Sequence, residues 1–266
     1  AEGSTAVKLP DLLPDHPFTE DLVEQSLVET AFLRFIAATL ARAAMGDEPH
    51  LARQKLGLDE PLPLPVFVRL RHFNRYRKQP KYRGQEPLQL LYDHIQARAV
   101  SLHRHTLGED FPGDFFRQQL KAGRCILLLD GLDEVADKAE RITVRRTVEQ
   151  FVNDNRANRF IVTTRGAGYE GLAQFGETFR RCQVGNMTPA QQQQLVRKWY
   201  GAVYPHNPDL AKKEGDDLLR RMEGNERIRR LVDTPLMLTV LAIIHYNEGK
   251  LPEQRAELYS DCVNAL

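Results

Sequence analysis

The run Cys125-Ile-Leu-Leu-Leu-Asp130 constrains this chain more than any other. Four large aliphatics in succession leave no polar face, so the segment fits a strand covered on both sides, as in the middle of a parallel sheet. It stops abruptly: Asp130, Asp133 and Glu134 fall within five residues, with Gly131 beside the first acid. A carboxylate at the C-terminal tip of such a strand stands where open α/β sheets bind their ligands. Arg159-Phe-Ile-Val-Thr-Thr-Arg165 repeats the change from apolar to polar. Pro63-Leu-Pro-Val-Phe-Val-Arg-Leu70 reads as a further strand, its prolines confined to the entrance.

Helical patterns separate these runs. Over 31–44, Phe32, Phe35, Ile36 and Leu40 recur at helical spacing before Gly46, and helices are expected over 88–102, 114–120 and 141–153. Strands alternating with helices in this way call for an α/β fold, a three-layer parallel sheet. Residues 1–30 read as a lead-in with a short helix over 18–30, Thr19 as its N-cap, and 71–84 as an exposed segment. After Cys182 the character changes. Thr188-Pro189 has the form of an N-cap followed by proline at N1, and helices are expected over 188–199, 209–222, 225–232 and 235–247. The division is therefore a lead-in (1–30), an α/β core (31–185) and a helical lobe (186–266).

A net charge of +1 over 266 residues gives no reason to expect a polyanionic partner. The longest apolar run, 235–244, is about half the ~20 residues that span a bilayer, so no membrane partner is expected. The N-terminus lacks the basic and apolar regions of a secretory signal, and three cysteines make no CxxC pair. These features fit a cytoplasmic protein. Arg69 to Arg83 is a basic cluster interleaved with Phe73, Tyr76 and Tyr82, a composition that suits nucleic acid. Such a run is more often a solvated loop after a strand, and nucleic acid is not the expected partner. No GxSxG or HExxH starts a hydrolase or zinc-enzyme reading.

Leu128-Leu-Asp-Gly-Leu-Asp-Glu-Val135 resembles the Walker B box of the NACHT family of signalling P-loop NTPases (the STAND class). Phe160-Ile-Val-Thr-Thr-Arg165 is similar to the sensor 1 strand of that family, and Met187-Thr-Pro189 to Trp199-Tyr200 to the entry of its helical lobe. Leu231-Val-Asp-Thr-Pro-Leu-Met-Leu-Thr239, Gly249-Lys-Leu-Pro252 and Arg255-Ala-Glu-Leu-Tyr259 resemble its later helical signature. The resemblance covers about 31–266. It implies Asp130 as a Mg²⁺ ligand, Asp133 and Glu134 as water-activating acids, Arg165 as a sensor of the γ-phosphate and Pro235 as a residue packing on adenine. Plainer readings stand beside these: an acidic turn capping a strand, a surface arginine paired with an acid, and a proline at N1 of a helix. The resemblance further implies ATP/ADP with Mg²⁺, ATP-dependent self-oligomerisation, effector, sensor and winged-helix regions outside this chain, and a role in innate immunity or antiphage defence.

One part of the pattern departs. The phosphate loop GxxxxGK[ST] belongs directly before Ala31, and there Val23, Val28, Glu29 and Thr30 stand where it has Gly, Gly, Lys and Ser/Thr. Glycines let backbone N–H groups wrap the phosphates and the lysine supplies a cation. Only Thr30 matches, and no aliphatic strand precedes it. Either a strand-plus-loop segment is missing between Thr30 and Ala31, or the site has degenerated. The same fold as a nucleotide-free scaffold, a pseudo-NTPase, and a nucleic-acid-handling P-loop ATPase are the alternatives to a working switch.

Overall fold

Five strands pair in one sheet, every neighbour parallel, in the order β2-β3-β4-β1-β5. The computed structural model describes residues 18–22, 26–46, 48–107, 111–165, 171, 174–176, 178–183, 185–226, 228, 232 and 234–248. In chain order the elements are β1 (Phe18–Leu22), α1 (Ser26–Ala44), α2 (Leu51–Leu56), β2 (Leu64–Arg69), α3 (Leu70–Arg77), α4 (Pro87–Leu107) and α5 (Phe115–Lys121). There follow β3 (Cys125–Asp130), α6 (Lys138–Asp154), β4 (Arg159–Thr164), β5 (Arg180–Gln183), α7 (Pro189–Val203), α8 (Pro208–Glu223) and α9 (Pro235–Glu248). Short 3₁₀ turns occupy Pro80–Tyr82 and Leu132–Glu134.

The three-layer arrangement follows from period-two side chains on strands buried on both faces. Ile126, Leu128 and Ile161 point to one side and pack with Leu33, Ile36 and Leu40 of α1 and Leu56 of α2. Leu127, Leu129, Phe160 and Val162 point to the other, against Leu70 and Phe73 of α3, Leu91 of α4 and Val148 and Phe151 of α6. Every residue of β3 is buried. Asn158 ties this end of the sheet together. Its Oδ1 accepts from Cys125 N–H at 2.9 Å, and its Nδ2 donates to Leu120 O at 2.7 Å and Asn155 O at 3.0 Å.

The structure departs from the sequence-based expectations in two places. Residues 18–22 are a strand between β4 and β5, with Phe18 opposite Phe160 and Thr19 opposite Arg180; no helix begins at Thr19. The core sheet thus takes in part of the expected lead-in, and α1 runs without a break from Ser26 through Thr30 and Ala31. The expected exposed segment 71–84 begins as α3, whose Leu70 and Phe73 are fully buried. Its charges obscured a helix with a narrow apolar face.

The chain divides into two compact units, Ala1–Val184 and Gly185–Leu266. In the second, Thr188 and Gln191 form a reciprocal capping box with Pro189 at N1 of α7. Val196, Leu218, Val232, Leu238 and Leu241 are part of its core. Tyr200 OH lies 2.5 Å from His245 Nδ1, and His245 Nε2 lies 3.1 Å from Asp217 Oδ2, so one chain of polar contacts, buried at Tyr200 and His245, joins α7, α9 and α8. Half of the helix expected over 225–232, the signatures over 249–259 and the lead-in before Phe18 lie outside the described residues. Among the described residues no helix is long and apolar enough to cross a membrane.

Candidate functional site

The C-terminal ends of β3 and β4 gather the acids. Asp130 closes β3 and is 2% exposed. A carboxylate buried that deeply needs donors, and two hydroxyls supply them. Thr30 Oγ1 of α1 lies 3.0 Å from both Asp130 oxygens, and Thr163 Oγ1 of β4 donates to Oδ1 at 3.3 Å. Thr163 in turn accepts from Gly131 N–H at 3.1 Å. The register explains the convergence: Leu129 lies opposite Val162, so the next residue of each strand, Asp130 and Thr163, meets across the ladder.

Beyond Asp130 the chain turns through Gly131 into the 3₁₀ turn carrying Asp133 and Glu134. Asp133 accepts from Arg165 N–H at 3.1 Å through Oδ1 and meets Arg165 Nε at 3.1 Å through Oδ2. Arg141 of α6 braces the turn from behind, donating from Nε to Val135 O at 3.0 Å and from Nη2 to Asp133 O at 3.4 Å. Glu134 Oε2 lies 3.1 Å from Arg71 Nε. Neither atom has a directed hydrogen bond, so this contact is an ion pair held by charge alone.

Of the residues singled out in the sequence, Thr30 and Asp130 come together, as do Asp133 and Arg165. Glu134 is taken by Arg71, which sequence reasoning left inside a basic loop. Thr163 and Arg141 were also missed. A polar residue closing a buried strand was a usable signal for Thr163; no local signal marks Arg141. Pro235 belongs to the second unit, at N1 of α9, where the Thr234 hydroxyl accepts from Met237 N–H at 3.3 Å. Helix capping accounts for that proline without a ligand.

A hydroxyl and a carboxylate are the hard oxygen donors that suit Mg²⁺, which takes few protein ligands and keeps several waters. On that side the residues fit. On the phosphate side they do not: Glu29 occupies the lysine position and Val28 a glycine position, while Val23 lies outside the described residues.

A family model for the NACHT domain matches residues 49–202, more than half of the chain. The chain belongs to the NACHT domain family. The family comprises P-loop NTPases that use nucleotide and Mg²⁺ in signalling, and the parallel three-layer core agrees with that fold. The matched stretch takes in Asp130, Asp133, Glu134 and Arg165, and leaves out Thr30 and Pro235. No curated protein matches the chain.

Proposed function

We propose that this NACHT chain is the core of a nucleotide-controlled switch, in which exchange of ADP for ATP permits self-oligomerisation. Effector and sensor regions outside the chain would give the switch its output, in innate immunity or antiphage defence within the cytoplasm. The observation that carries this reading is the pair of 3.0 Å contacts between Thr30 and Asp130. They set the hydroxyl at the end of the would-be phosphate loop against the Walker B acid, and these two residues would hold Mg²⁺. Bound Mg²⁺ neutralises phosphate charge.

The remaining side chains supply a movable element. Arg165 is 45% exposed in its pair with Asp133, and exposed ion pairs contribute about 0–1 kcal/mol. An incoming anion can therefore draw the guanidinium away at small cost, so Arg165 has two arrangements that a ligand can bias. Asp133 and Glu134, each braced by an arginine, are the acids positioned to polarise water at the same edge.

Calorimetry with ADP and ATP in the presence of Mg²⁺, on the chain and on Asp130→Ala, tests the reading. Binding by the chain and its loss in the variant is the expected result. A chain that takes up neither nucleotide at millimolar concentration would be a scaffold instead. Val28 and Glu29 favour that pseudo-NTPase reading. The nucleic-acid reading is weaker: Arg77 and Lys78 pair with Glu140, Phe73 is buried, and Tyr76 and Tyr82 pack on each other with rings 4.5 Å apart.

A further inference from the structure

The site lacks the lysine of a phosphate loop, yet a cation stands one strand away from Asp130. Arg69 is the last residue of β2 and pairs in register with Asp130 of β3. Paired residues of parallel strands share a face of the sheet, their backbones about 4.8 Å apart. The face is fixed by the rest of the ladder. Phe67 and Leu128, two residues earlier on each strand, both pack with α1 and α2, whereas Val68 and Leu129 belong to the opposite core. Arg69 therefore projects on the α1 side, the side from which Thr30 reaches Asp130.

The surroundings leave its charge uncompensated. The other basic side chains of this region are largely taken: Arg71 by Glu134, Arg77 and Lys78 by Glu140. Arg69 is half-buried and, among the described residues, makes no hydrogen bond or ion pair, not even with Asp130 beside it. α3, which begins at the next residue, carries no acid over Leu70–Arg77. The neighbouring His72 sits in the combined field of Arg98, Arg71, Arg69 and Arg75, which, after burial itself, lowers its pKa. A half-buried guanidinium without a carboxylate is poised for an anion that arrives from outside, and its planar fork matches phosphate oxygens two at a time.

We propose that Arg69 supplies from β2 the phosphate-binding cation that Glu29 cannot, so that the polyphosphate end of a nucleotide is held between Arg69 and the Thr30–Asp130 pair. This rests on the nucleotide reading above. It commits the ligand to a di- or triphosphate and makes the phosphate loop dispensable for its charge.

The test is calorimetric titration of the chain with ADP, ATP and inorganic tripolyphosphate, each with Mg²⁺, against Arg69→Ala, Arg69→Lys and Arg75→Ala. Loss of a charge-assisted, bidentate contact should weaken all three ligands about tenfold to a hundredfold in Arg69→Ala. Arg69→Lys should recover part of the loss, which an unfolded variant could not do, and Arg75→Ala should bind as the unaltered chain does. If the chain binds nucleotide and Arg69→Ala binds it equally well, the proposal is wrong while the nucleotide reading stands. If the chain binds neither nucleotide nor tripolyphosphate, both fall together.

Discussion

At the scale of single residues, the glycine after Asp130 has two physical reasons. Gly131 adopts φ of 71°, in the left-handed region that side chains avoid. A Cβ there would also stand 2.9 Å from Glu134 Cγ and 3.0 Å from Glu134 Cδ. The same turn lets Gly131 N–H reach the Thr163 hydroxyl. Gly131→Ala is therefore expected to lose about 1–2 kcal/mol of stability from the backbone alone and to push Glu134 away from Arg71. Urea unfolding measures the first effect; an unchanged midpoint would mean the turn relaxes freely to another conformation. The acids here were legible because three of them end an aliphatic run. Arg165 was legible too, as a strand-end arginine within reach of an acid, but Arg71 and Thr163 were not, because they reach the acids from another helix and another strand, and a pairing of that range leaves no local pattern.

Among the elements, legibility tracked apolar content. β3 and β4 are aliphatic to their last turn and read plainly as strands, and Thr188-Pro189 marked the start of α7 through capping chemistry alone. β1 did not read as a strand because Phe18-Thr-Glu-Asp-Leu22 carries two acids and no β-branched aliphatic, yet it pairs on both sides within the sheet. Tertiary pairing overrode local preference there. Position in the sheet also depends on devices outside the strands. Asn158 binds the start of β3 to the ends of α5 and α6 through three hydrogen bonds and is 1% exposed. Asn158→Ala strands Cys125 N–H in the interior, while Leu120 O keeps Gly123 N–H and Asn155 O keeps the backbone N–H of residue 158. At about 1–3 kcal/mol for a buried group left unsatisfied, a loss of about 1–3 kcal/mol is expected in denaturant unfolding. A loss below about 0.5 kcal/mol would show that water replaces the amide and that the strand needs no such tether.

For the molecule as a whole, acid should act on the two units at different pH. In the first unit His94 of α4 is buried beside the rings of Phe73 and Tyr76, its Nε2 without a partner among the described residues. Burial above all, then the charges of Arg98 and His72, pushes its pKa down to about 4 from the ordinary 6.5. Between those values the unfolded chain binds the proton that the folded chain refuses, so folding stability falls as pH drops from 6.5 toward 4, by up to about 3 kcal/mol at 1.36 kcal/mol per pKa unit. In the second unit the hydrogen bond from His245, with help from Arg221, lowers the pKa of Asp217 below 3.8. A depressed carboxylate stabilises above its unfolded pKa and loses that contribution only as pH falls below it. Near pH 5 the α/β unit should therefore be weakened while the Asp217 contribution is intact. The chain offers a clean separation, because its single tryptophan, Trp199, sits in α7 of the second unit. Urea unfolding by Trp199 fluorescence should change little between pH 7 and pH 5, whereas hydrogen-exchange protection of the β3 amides should fall. His94→Leu should flatten the second response and leave the first alone. If both probes move together and His94→Leu alters neither, the units respond to acid as one body and His94 is not the titrating group.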